Sequence, residues 1–96
     1  MRVISRKPLR EFADIHGDAE GPLQDWYRVA KRSQWTNLME VRKTYPHADA
    51  VSEFTVFNIG GNKYRLATSI HYRTGRIYIH RVMTHEEYSK GAWKNR

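Results

Sequence analysis

Two short stretches of this chain gather residues able to do chemistry on a phosphodiester. The first is Asn58-Ile59-Gly60-Gly61-Asn62-Lys63-Tyr64-Arg65-Leu66. Its paired glycines permit close backbone approach, and the period of two in a strand sets Lys63 and Arg65 on one side, where two cations could share a phosphate. The second is Thr84-His85-Glu86-Glu87-Tyr88. A histidine, carboxylates and a phenol offer groups that give or take a proton, the work needed at a 2′-hydroxyl and at a leaving 5′-oxygen. Each stretch also has a plain structural reading. The first fits a hairpin with solvated basic residues, the second a helical turn whose glutamates sit well against the helix dipole. The local sequence leaves both readings open.

Other chemistries find no pattern. His71, His80 and His85 match no compact metal-ligand spacing, and His85-Glu86 does not extend to HExxH, so no metal and no cofactor is expected. GxxxxGK[ST] and GxSxG are absent, which removes P-loop and nucleophile-elbow chemistry. With no cysteine, disulfides, thiolate zinc sites and cysteine nucleophiles are excluded as well.

The elements that must position these groups divide the chain in two. Arg2 to Ser5 suits a strand, Pro8 opens a helix over about 8 to 16, and Gly17 stops it. Leu23, Trp26, Tyr27 and Ala30 then recur at helical spacing, and a third, shorter helix runs from a cap at Thr36 or Asn37 to about Thr44, before Tyr45-Pro46. From Ser52 the period changes to strand: 52 to 59, 63 to 72 and 76 to 84, joined at Gly60-Gly61-Asn62 and Thr74-Gly75. Tyr64, Leu66, Thr68, Ile70 and Tyr72 form one face of the middle strand; Lys63, Arg65 and His71 lie on the other. His85 to Lys90 suits a single helical turn. The layout predicts a single α+β domain over 1–96: helices on one face of a small, mainly antiparallel three- to four-stranded sheet, with the other face uncovered.

Charge singles out that second half. The 96 residues carry 17 Lys+Arg against 10 Asp+Glu, a net +7. Lys63, Arg65, Arg73, Arg76 and Arg81 fall between 54 and 85, where no carboxylate occurs. A polyanion is the expected partner, and the uncovered sheet face its seat. Arg6, Lys7 and Arg10 add a basic cluster at the first helix, which also reads as a solvated face. No apolar run is long enough to span a bilayer and the N-terminus lacks a signal-peptide core, so a cytoplasmic protein without membrane contact is expected.

Taken in order, RVISRKPLREF, PLQDWYRVAK, VRKTYPHAD, FNIGGNKYRL, IHY and THEEYSKGAW resemble the HigB-type toxins of the RelE-like superfamily, over nearly the whole chain. The resemblance implies the toxin of a type II toxin-antitoxin module: a metal-independent mRNA endonuclease acting on the ribosome through the 2′-hydroxyl. It also implies a HigA-type helix-turn-helix antitoxin as partner, with DNA bound only through the antitoxin complex. Lys63 and Arg65 would then stabilise charge on the phosphate, and His85 and Tyr88 would move protons; Lys63 with a lowered pKa is an alternative base. His71, Arg6, Lys7, Arg73, Arg76 and Arg81 would hold RNA. One departure concerns Arg81: a basic residue followed by a variable one is expected in the last strand, where this chain reads His80-Arg81. A non-catalytic RNA-binding module using the same face is the alternative. A DNA-binding repressor lacks the required helix pair with a basic recognition helix.

Overall fold

The alternating runs of the second half become a sheet, and the amphipathic runs of the first half become the layer that covers it. The computed structural model describes residues 1–94. In chain order these form β1 (Arg2–Ile4), α1 (Lys7–Ile15), a 3-10 turn (Gly17–Ala19), α2 (Glu20–Arg32), α3 (Leu38–Thr44), β2 (Asp49–Val51), β3 (Phe54–Ile59), β4 (Tyr64–His71), β5 (Arg76–Thr84), α4 (His85–Lys90) and a second 3-10 turn (Ala92–Lys94). The strands lie in the order β1-β5-β4-β3-β2. β2 to β5 pair antiparallel, and β1 runs parallel to β5. The α+β architecture follows the sequence pattern, and the resemblance to RelE-like toxins fits it.

The sheet has five strands rather than the three or four that the pattern suggests. Asp49-Ala50-Val51 is too short to register as alternation, and it becomes a strand by pairing back onto β3 around Ser52, whose φ is 56°. Pro8 sits in the first turn of α1, where its missing N–H costs nothing. The α3 cap is Asn37, which accepts a hydrogen bond from the Glu40 N–H at 3.0 Å.

Leu9, Leu23, Trp26, Trp35 and Val41 of the helical side bury against Phe57, Leu66, Ile77 and Ile79 of the sheet. Trp26 lies edge-on to Phe57 at 5.3 Å. The opposite face is not bare. Phe54, Val56, Ala67 and Met83 form a second, smaller cluster there, closed by Trp93 with Tyr88 packed beside it. The expectation of a wholly uncovered face is therefore corrected: the segment after β5 folds back over part of it. The apolar residues Phe54, Val56, Ala67 and Met83 on that face require such a cover. No helix among the described residues is long and apolar enough to cross a membrane.

Candidate functional site

The two chemistry-bearing stretches meet at one end of the β4–β5 hairpin. Register pairs Tyr64 with Thr84 and Arg65 with Met83, and the His85 N–H donates to the Lys63 carbonyl at 3.2 Å. The glycine turn and the start of α4 are thus neighbours in space. Gly60 and Gly61 have φ of 62° and 70°, a conformation that side chains resist and that turns β3 tightly into β4.

Thr84 ends the strand and starts the helix. Its hydroxyl accepts from the Glu87 N–H at 3.2 Å while the Glu87 carboxylate accepts from the Thr84 N–H at 3.0 Å, a reciprocal cap. This places His85 first in α4 and Tyr88 one turn later, so both lie on neighbouring positions of one helix side. His85 is exposed; its Nδ1 lies 3.5 Å from the Ser89 hydroxyl, which also donates to the His85 carbonyl at 2.9 Å. Tyr88 is half-buried, and its ring centroid lies 5.4 Å from the Arg65 guanidinium.

Arg65 is only 8% exposed. Its guanidinium donates to the Asn62 side-chain oxygen at 2.6 Å, the Asn62 carbonyl at 3.3 Å and the Tyr64 carbonyl at 3.1 Å. Every partner is neutral, and Arg65 forms no ion pair with a carboxylate among the described residues. Burying a cation without a counter-charge is costly, and here neutral acceptors and the Tyr88 ring are what offset that cost.

Lys63 does not join it. The expectation that both cations project from one side fails because Lys63 lies in the turn, outside the β4 ladder, where the period of two no longer applies. Its ammonium forms an ion pair with Asp18 on the 3-10 turn of the helical side, and the Tyr64 hydroxyl donates to the other Asp18 oxygen at 2.7 Å. The hydrogen bond and charge of Asp18 raise the Lys63 pKa, and the bonds from Lys63 and Tyr64 lower that of Asp18. A lysine base with a lowered pKa is corrected by the same contact: Lys63 is held protonated.

The other basic candidates spread over the surface. His71 pairs with Arg76 at the far end of β4 and β5, with Arg73 in the turn between them; six residues of strand put His71 about 20 Å from Arg65. His71 also meets the half-buried Tyr78 ring edge-to-face at 5.0 Å. Arg6 stacks its guanidinium 4.0 Å over Tyr27 and Lys7 begins α1, so both belong to the helical layer. Register slips between Ala67↔Arg81 and Thr68↔Ile79, leaving His80 as the extra residue of a bulge. His80 stacks on Phe54 at 4.4 Å, whereas the exposed Arg81 lines a shallow hollow with Pro8, Glu11, Phe12 and Ile15 of α1. His71, His80 and His85 do not converge, and no three His, Asp or Glu side chains among the described residues gather as metal ligands.

Three site residues escaped the sequence reading. Asn62 holds Arg65, and its only signal is a polar side chain three residues before an arginine. Asp18 is 45 residues from Lys63, with no local signal. Trp93, behind Tyr88, was legible only as a terminal aromatic.

Comparison with known proteins gives a consistent set of relatives. The model of the HigB toxin family, described as the RelE-like toxic component of a toxin-antitoxin system, matches residues 19–91. The chain is 28% identical over 93 residues to the mRNA interferase HigB of Escherichia coli O6:H1, spanning 94% of this chain and 90% of that protein. It is 25% identical over 91 residues to the mRNA interferase toxin HigB of Escherichia coli K12, spanning 92% and 88%. The mRNA interferase HigB of Shigella flexneri gives the same identity and span.

Proposed function

Because this chain belongs to the HigB family of RelE-like toxins, we propose that it is an endoribonuclease that cuts mRNA, with Arg65 on the scissile phosphate and His85 and Tyr88 moving the protons. The observation that carries this reading is the Arg65 guanidinium: nearly buried, held by neutral groups, and flanked by Tyr88. A purely structural residue at that place would need no charge.

The reaction follows from the groups present. One of His85 and Tyr88 takes the proton of a 2′-hydroxyl, whose oxygen attacks phosphorus and displaces the 5′-oxygen; the other returns a proton to that leaving group. The products are a 2′,3′-cyclic phosphate and a 5′-hydroxyl. Arg65 stabilises the negative charge gathering on the phosphoryl oxygens, and no metal is required. Lys63 acts from the turn: its ion pair with Asp18 fixes the loop whose Asn62 holds Arg65. His71, Arg73 and Arg76, at the far end of the hairpin, would hold RNA extending away from the cut, while Arg81, Arg6 and Lys7 would meet the wider RNA surface. The substrate is mRNA on the ribosome in the cytoplasm. The cognate partner is a HigA-type helix-turn-helix antitoxin, through which any DNA contact is made.

The test is cleavage of mRNA, free and on translating ribosomes, in the presence of a chelator, with the ends mapped chemically. The expected result is cutting on the ribosome to cyclic phosphate ends, lost in Arg65→Ala and in His85→Ala. RNA that is bound but never cut, with binding weakened by Arg65→Ala and by salt, would instead establish a non-catalytic RNA-binding module. Full cleavage by both variants would overturn the site.

A further inference from the structure

We infer that Trp93 is a positioning residue for the Arg65–Tyr88 pair, an inference that rests on the reading of the site given above. Trp93 lies just beyond the 19–91 segment matched by the family.

The need for such a residue comes from α4 itself. A six-residue helix is far too short to hold its own shape in water, and α4 contains no buried residue that could anchor it. Its cap at Thr84 fixes where it begins but not how its far end lies against the sheet. Gly91, with φ of 77°, lets the chain turn back, and its N–H closes onto the Tyr88 carbonyl at 3.2 Å. Trp93 then enters the small cluster on the sheet and is 2% exposed.

Trp93 makes three contacts, two of them with Tyr88. Its ring stacks on Tyr88 with centroids 5.4 Å apart and planes 21° from parallel. Its indole N–H donates to the Tyr88 carbonyl at 3.0 Å. Its own carbonyl accepts from His80 Nε2 at 3.0 Å, while the His80 ring is stacked on buried Phe54. A carbonyl can only accept, so Nε2 carries the proton. One side chain thus fixes the backbone and the ring of Tyr88 together; that side chain packs on Phe54 of β3, and the Trp93 carbonyl is held by His80 of β5. Tyr88 in turn presents its ring to Arg65. Released from Trp93, the phenol and the guanidinium lose their common frame, and small misplacements of reacting groups lower rates steeply.

The experiment measures cleavage of ribosome-bound mRNA at saturating and subsaturating concentrations for the wild type, Arg65→Ala, Trp93→Ala, Trp93→Phe and His80→Ala, each checked by thermal melting. Trp93→Ala is expected to lower kcat about 10- to 100-fold while KM moves less than about threefold. Trp93→Phe, which keeps a stacked ring but not the indole donor, is expected to recover most of that loss. His80→Ala, which frees the Trp93 carbonyl without touching Tyr88, is expected to lower kcat in the same sense, and it carries the test where Trp93→Ala does not fold. Trp93→Ala and His80→Ala both cutting at the wild-type rate, with Arg65→Ala inactive, would overturn this inference and leave the function standing. A loss expressed wholly in KM, or not relieved by Trp93→Phe, also overturns it. A wild type that cuts no mRNA overturns both.

Discussion

The two faces of the sheet do different work with the same strands. Toward the helices, Trp26, Leu23, Phe57, Leu66 and Ile77 build an interior that holds no buried cation among the described residues. On the other side a handful of apolar residues support Arg65, Tyr88 and Trp93, and the cover is a six-residue helix and a turn. Alternation along β4 feeds both: Tyr64 and Leu66 go one way, Arg65 and Ala67 the other. The lesson is that stability is concentrated on the first face, which leaves the second free to bury a cation that stability alone would not select.

Substitutions on the two faces should therefore part company. The largest effect is expected from Trp26→Ala on the helical face, about 3–5 kcal/mol of stability, read from denaturant unfolding. If it melted like the wild type, the division of labour would be wrong. Arg65→Ala should reverse the pattern. Cleavage should fall by roughly 10²–10³, while unfolding in denaturant, which involves no lost ion pair, changes little. A variant that unfolds but still cuts in proportion to its folded fraction would return Arg65 to a packing role.

Thr84→Ala tests the boundary between the faces. Loss of the cap should cost about 1 kcal/mol in α4, and a lower cleavage rate should accompany it, since His85 and Tyr88 ride on that helix. Hydrogen exchange at the amides of 85–90 would reveal the loosening, and unchanged protection would show that Trp93 alone fixes the helix.

The smallest effect concerns the Asp18–Lys63–Tyr64 link. The Asp18 carboxyl is lowered, so its contribution is present above the usual carboxylate range and is lost as pH falls through the lowered value. Lys63 is raised, so its contribution is present below the usual lysine range and is lost as pH rises through the raised value. The Tyr64 phenol, raised chiefly by its bond to Asp18, adds to the alkaline loss. Asp18→Asn should flatten the melting temperature at both ends of the pH range by a small amount, because the Asp18 and Lys63 side chains are exposed to solvent. An unaltered pH profile would show that the link is not made in solution.

Much of this was legible in one dimension. Leu23, Trp26 and Ala30 announced α2 by spacing, and Arg76 to Thr84 announced β5 to the residue. The THEEY stretch read as a helical turn because its glutamates suit the start of a helix, and the reciprocal cap at Thr84 that fixes the turn came from the structure. Lys63 and Arg65 were read together and proved separate. Period two holds only inside a ladder, and the ladder begins at Tyr64.

Composition and periodicity thus determined the α+β class, the layer order and the basic block over the sheet, since each depends on neighbours a few residues apart. Only the tertiary structure decided that, of Lys63 and Arg65, the first meets a carboxylate and the second, among the described residues, does not. That depended on Asp18 reaching Lys63 across 45 residues, on Asn62 turning back to Arg65, and on Trp93 closing behind Tyr88. Pairing of charges is a property of distances in space, and over such separations the sequence carries no record of them.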